Sequence, residues 1–175
     1  MPFLKLGCMP RTMLDITVSC NDLDKNYHEF GNIDTIKLYI DYKTTHVIGL
    51  DNGVVVLKLN FKIFNALPIV HNMQDVIQVS KVAILDSYEG KGIISQVYNT
   101  LVSNGFTTVA DSTQFEPAKL LWKKLANTSK HVYVITNKGT VMPYTGTNIS
   151  DNQIWSSGLD QSGYGNMLVM TANQL

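Results

Sequence analysis

The stretch of this sequence best equipped for chemistry is Glu89-Gly90-Lys91-Gly92, set between an apolar run that ends at Leu85 and a second that begins at Ile93. Ile93, Ile94, Val97, Tyr98, Leu101 and Val102 recur at three- and four-residue steps, with Gln96, Asn99 and Thr100 opposite them, and Asn104-Gly105 closes the pattern. That spacing predicts an amphipathic helix. A helix that starts just after a glycine turn offers several unpaired backbone N–H groups and the positive end of its dipole, which together attract a phosphate or pyrophosphate. Gly90 and Gly92 let the backbone come close to such an anion with no Cβ in the way. Two glycines at this spacing also serve β-to-α turns for packing alone. The loop is not a Walker loop, because Gly-x-x-x-x-Gly-Lys-[Ser/Thr] is absent, and Ser95 stands where a dinucleotide fingerprint would place its third glycine.

The elements that must position this loop are legible around it. Val79 to Leu85 reads as a strand leading into the glycines. Upstream, Ile36 to Ile40 alternates, and His46 to Leu50 and Val54 to Phe61 flank Asn52-Gly53, the strongest short hairpin signal, since both turn positions need positive φ. Leu23, Tyr27 and Phe30 fall at helical spacing with Gly31 as a stop, which predicts a short helix over Cys20 to Phe30. Downstream, Phe106 to Ala110 forms a strand, and Glu116-Pro117 opens a second helix with proline in its first turn, where the missing N–H costs nothing. Ala118, Leu121, Trp122 and Leu125 make the buried stripe of that helix, and Lys119, Lys123 and Lys124 its wet face. His131 to Thr136 is a strand, Asn137-Lys138-Gly139 a turn and Thr140 to Tyr144 its return; after Ile154-Trp155 and a glycine-rich stretch, Met167 to Ala172 closes the chain as a strand. The alternation predicts an α/β (α+β) chain with a mixed sheet.

Bulk properties narrow the function. The length of 175 residues is that of a single domain, 1–175. Charged residues make up only 16% of the chain and the 14 basic balance the 14 acidic ones, which argues against a nucleic-acid binder. A surface rich in neutral polar residues suits association into oligomers. Cys8 and Cys20 form no Cys-x-x-Cys pair, and His28, His46, His71 and His131 are scattered singly, so no metal site is expected. The segment Met1 to Met13 lacks an unbroken apolar core, so neither a signal peptide nor a membrane span is expected. A soluble protein of the reducing cytoplasm fits these features.

Val82-Ala83-Ile84-Leu85 followed by Asp86-Ser87-Tyr88-Glu89-Gly90-Lys91-Gly92-Ile93 resembles the acetyl-CoA signature of the GNAT superfamily of N-acetyltransferases. Leu101, Gly105, Phe106, Ala118, Leu121-Trp122 and Lys124-Leu125 extend the resemblance, which covers Val79 to Leu125 well and the flanking strands by architecture only. It implies a mixed, mostly antiparallel twisted sheet flanked by helices and splayed open after the strand ending at Leu85. It also implies that the pantetheine of acetyl-CoA lies in the gap and its pyrophosphate on the amides of Glu89, Gly90, Lys91, Gly92 and Ile93. Ile84 and Leu85 would then offer main-chain groups to the pantetheine and the acyl carbonyl. Some positions depart from the family pattern. Ser87 stands where Gln or Arg is usual, Glu89 where a basic residue is usual, Asp86 replaces a common proline, Phe115 sits near a usual asparagine, and Trp122 occupies the place of a tyrosine acid.

Acetyl transfer to an amine needs a base for the amine proton, a donor for the oxyanion and an acid for the thiolate. The candidates are Asp111 as base, with Glu116 behind it, and Tyr133 as acid; each has an ordinary structural role as well, as cap, helix-dipole charge and strand packing. Tyr98 belongs to a helical stripe and reads as core. The resemblance implies an acetyl-CoA-dependent N-acetyltransferase acting on an amine of a protein or small molecule. The alternative is a GNAT-fold binding or structural module without catalysis. Short chains of this kind are similar to ones encoded by bacteriophages, which would put the protein in the host cytoplasm.

Overall fold

The computed structural model describes residues 27–64, 75–110, 114, 116–129, 131–136, 138–155, 166–172 and 174–175. These fall into two compact units. The first takes the described residues up to Lys62 together with Val79–Thr100, and the second Ile63–Gln78 with Leu101–Leu175.

In the first unit, four strands follow one another as an antiparallel meander: β1 (Tyr27–Ile33), β2 (Ile36–Asp41), β3 (His46–Asp51) and β4 (Val54–Phe64). The Asn-Gly hairpin forms as expected. Asn52 and Gly53 join β3 to β4 with φ of 48° and 82°, the two positive values of a type I′ turn whose twist matches that of the strands. Next to β4 runs β5 (Val76–Ile84), whose residues from Val79 onward belong to this unit. Ile48, Leu50, Val55 and Ala83 bury one cluster, with Tyr27 and Tyr39 packed against it.

The short helix expected over Cys20 to Phe30 is overturned where it can be seen: Tyr27 to Phe30 lie in β1, paired with β2 from Tyr27↔Asp41 to Ile33↔Ile36, and the remainder of that segment is outside the described residues. The helical spacing of Tyr27 and Phe30 was a local signal, and a ladder to β2 satisfies every second backbone group that a helix would have satisfied. Gly31 is not a helix stop but a strand residue at a register shift; a Cβ there would lie 2.6 Å from the Thr100 methyl. The glycine is used for close approach.

In the second unit the opening of β5 pairs in parallel with β6 (Thr107–Val109), at Val76↔Thr107, Ile77↔Thr108 and Gln78↔Val109. β9 (Met167–Met170) lies between β6 and β7 (Val132–Ile135), antiparallel to both, and β8 (Val141–Pro143) returns antiparallel to β7. All ladders resolved in register are therefore antiparallel except β5 to β6, which gives the mixed, mostly antiparallel sheet expected. Val76, Val109, Ile135 and Val169 form the buried cluster of this unit.

Helix α1 (Ile93–Ser103) follows the glycine turn, α2 (Glu116–Thr128) follows β6, and α3 (Asp151–Ile154) is a single turn started by a Ser150/Gln153 capping box. On α2 the stripe is led by Trp122 and Leu125, both buried, but the lysine face is only partly wet. Lys123 pairs with Asp151 at 2.8 Å, and Lys119 pairs with Glu116 at 2.8 Å with its Nζ 5.9 Å from the Trp155 ring centroid. Lys124 is exposed as expected. Among the described residues no helix is long and apolar enough to cross a membrane.

Candidate functional site

The loop is built in three steps along one chain segment of the first unit. β5 ends at Ile84, Asp86–Tyr88 make one 3-10 turn, and Gly90 and Gly92 then take φ of 72° and 73°, a region that side chains disfavour, before α1 begins at Ile93. A Cβ built on Gly90 would meet nothing within 4 Å, so the space in front of this residue is open. The first bond of the α1 ladder runs from Gln96 N–H to the Gly92 carbonyl at 3.2 Å. The N–H groups of Ile93, Ile94 and Ser95 precede it and have no partner within the helix, which is the geometry an anion uses.

Two of the residues expected at a ligand make backbone hydrogen bonds within the fold. Glu89 N–H is donated to the Asp86 carbonyl at 3.2 Å, closing the 3-10 turn. Leu85 donates its N–H to Val56 of β4 at 2.9 Å and accepts from Tyr88 N–H at 2.8 Å. Successive residues of a strand turn their N–H and C=O to opposite edges. Those of Ile84 therefore face away from β4. The ladder between β5 and β6 is three pairs long and stops at Gln78, whose side-chain amide donates to the Ala110 carbonyl at 3.3 Å, while β5 continues for six more residues to Ile84.

Side chains around the turn form a connected set that the sequence did not announce. Tyr88 donates its phenol to Asp51 Oδ2 at 2.7 Å, across 37 positions of sequence, and Lys91 Nζ sits 5.3 Å from the centroid of the Tyr88 ring. Asp51 Oδ1 and Glu89 Oε1 are buried without a hydrogen-bond partner. The hydrogen bond to Asp51, then burial and the charge of Asp51, raise the pKa of Tyr88 above its ordinary value. The bond exists only while the phenol is protonated, so its contribution is complete below the ordinary tyrosine pKa and is lost as pH rises through the raised one. In Asp51→Asn, the Tyr88 phenol should therefore titrate at lower pH than in the parent, as read by ultraviolet difference absorbance against a Tyr88→Phe reference; an unchanged titration would show that Asp51 does not hold this phenol.

The other candidates are dispersed. Asp111 and Phe115 lie outside the described residues. Tyr133 is in β7 of the second unit and 5% exposed. Glu116 opens α2, with its side chain mostly in solvent and paired to Lys119, the position of a favourable helix-dipole charge. Tyr98 is buried in α1, where burial drives its phenol far above the ordinary range. Trp122 is 1% exposed. Among the described residues no group of three or more His, Cys, Asp and Glu could hold a metal ion. The residue that sequence reasoning missed is Asp51; its place just before Asn52-Gly53 marks a turn and carries no sign of a partner 37 residues away.

No family model matches the chain, and no curated protein matches it. Among solved structures, the chain is similar to the N-acetyltransferase YlbP of Bacillus subtilis in complex with coenzyme A, at 12% identity and a TM-score of 0.42 over 73% of this chain and 68% of that one. It is also similar to the diaminobutyrate acetyltransferase EctA of Paenibacillus lautus in complex with L-2,4-diaminobutyric acid and coenzyme A, at 14% identity and a TM-score of 0.40 over 77% and 76%. A third is the N-acetylglutamate synthase of Neisseria gonorrhoeae complexed with coenzyme A and N-acetylglutamate, at 10% identity and a TM-score of 0.38 over 74% of this chain. The chain spans about a quarter of the length of that synthase, 26%.

Proposed function

We propose that this chain is an acetyl-CoA-dependent N-acetyltransferase of the GNAT type, which moves the acetyl group to an amine by direct attack. The observation that carries the reading is the turn at Gly90 and Gly92, with both φ angles positive, opening onto the N-terminus of an 11-residue helix. The pyrophosphate would sit on the amides of Gly90, Lys91, Gly92 and Ile93, and the open space at Gly90 admits it. The main chain of Ile84, turned away from β4, would pair with the pantetheine and donate to the carbonyl oxygen.

In this reading the neutral amine attacks the thioester carbon, the carbonyl electrons move to oxygen as the tetrahedral intermediate forms, and collapse breaks the C–S bond. The amine proton leaves to a base and the thiolate takes one up. Asp111 and Tyr133 are the residues proposed for those transfers. The acceptor would be an amine of a protein or a small molecule, and the compartment the cytoplasm, that of the host if a phage encodes the chain.

A second reading, a binding module without turnover, is favoured by Glu89, which puts a carboxylate in the turn, and by Trp122, which has no acidic proton to give a thiolate. Thiol release from acetyl-CoA separates the two. With a panel of amino acids, diamines and peptides, the enzyme reading expects amine-dependent appearance of free coenzyme A that Asp111→Asn slows by about 100-fold or more. Tight acetyl-CoA binding with no amine-dependent release across the panel would favour the module.

A further inference from the structure

The turn that would hold a pyrophosphate carries two acids, Asp86 and Glu89, and one base, Lys91. Its charge runs against its backbone. We infer that Asp51 and Tyr88 form a strut that holds Lys91 over the glycine turn, so that Lys91 is the cation that meets the pyrophosphate of acetyl-CoA; this rests on the acetyl-CoA reading proposed above.

Tyr88 is anchored at both ends. Its N–H is donated to the Leu85 carbonyl at 2.8 Å and its phenol to Asp51 Oδ2 at 2.7 Å, so the ring cannot swing on its side-chain torsions without breaking a bond. Asp51 is itself fixed, as the last residue of β3, directly before the type I′ turn and paired with Val54. Lys91 Nζ lies over the face of this ring at 5.3 Å, within cation–π range. A lysine side chain alone spreads over many rotamers, and resting on an immobile ring narrows that spread before a ligand arrives. The phenol's bond to a carboxylate also sends electron density into the ring, which strengthens its hold on a cation. The strut thus spends its rigidity on the one positive side chain between Gly90 and Gly92. Asp51 and Tyr88 are positioning residues, and Lys91 is the binding residue.

Calorimetric titration of the full chain with acetyl-CoA, at low and at physiological salt, tests this. Lys91→Ala should weaken binding about tenfold and flatten its salt dependence, while Lys91→Arg should retain both. Tyr88→Leu should cost nearly as much, and adding Lys91→Ala to it should cost less than about twofold more, because the lysine has already lost its platform. Tyr88→Phe and Asp51→Asn, which keep the ring, should fall between the parent and Tyr88→Leu, and they serve should the leucine variant fail to fold. Losses at Lys91 and Tyr88 that multiply, or a salt dependence untouched by Lys91→Ala in a parent that binds, would overturn the strut and leave the acetyl-CoA reading standing. A parent that does not bind acetyl-CoA overturns both.

Discussion

Gly92→Glu and Gly90→Glu are each expected to bind acetyl-CoA at least about 100-fold more weakly than the parent chain, the combined result of a strained backbone and a misplaced charge. Gly90 and Gly92 hold φ of 72° and 73°. A side chain in that region costs about 1–2 kcal/mol, which the protein meets by straining or shifting the turn. A carboxylate among the amides of the turn then repels a phosphate by about 4 kcal/mol at 4 Å and the effective dielectric of a protein surface. Either term alone weakens binding, and together they exceed the factor stated. Gly105→Ala is the control, since Gly105 has a φ of 91° and open space around its missing Cβ, and it closes the C-terminus of α1 with Phe106 N–H bonded to Leu101 at 3.2 Å. That variant should lose stability to a similar degree and bind as the parent does. Binding equal to the parent's in both glutamate variants would mean that no anion sits on this turn.

Trp122→Ala is expected to lose about 3–5 kcal/mol of unfolding free energy by denaturant titration, the largest stability effect we anticipate. Trp122 is 1% exposed and leads the buried stripe of α2 with Leu125. Truncation leaves a cavity the size of an indole inside a packed interior, where the surroundings collapse only in part. Trp122→Phe, which keeps an aromatic ring, should cost roughly half as much and leave acetyl-CoA affinity unchanged. A stable Trp122→Ala variant that has lost ligand binding would contradict this assignment and place Trp122 in the site instead.

How much of this was legible in the sequence follows from the range of the forces involved. The Asn52-Gly53 turn, the glycine turn, both long helices and the terminal strand are specified by neighbours within a few residues and form within a residue or two of where the pattern puts them, while β4 runs three residues past Phe61. β5 begins at Val76, three residues before the apolar run suggested, because its first residues are fixed by the parallel ladder to Thr107–Val109. β1 carries helical spacing at Tyr27 to Phe30 yet is a strand for the same reason: it is made by pairing with β2, and nothing local says so. The insertion of β9 between β6 and β7 is likewise a matter of pairing across many residues.

The site divides in the same way. Gly90 and Gly92 announce themselves because a positive φ has a residue signature, whereas the Tyr88 to Asp51 bond has none. The amides of Glu89 and Leu85 bond to the turn and to β4, pairings that only the folded chain brings about. On the lysine face of α2, Lys119 meets Glu116 of its own helix, and Lys119 and Lys123 meet Trp155 and Asp151, which the short α3 brings alongside α2.

The most direct measurement of the central claim is calorimetric titration of the intact parent chain with acetyl-CoA. A single site with a dissociation constant in the micromolar range is expected, about −8 kcal/mol at one micromolar. No heat of binding at millimolar ligand would contradict it.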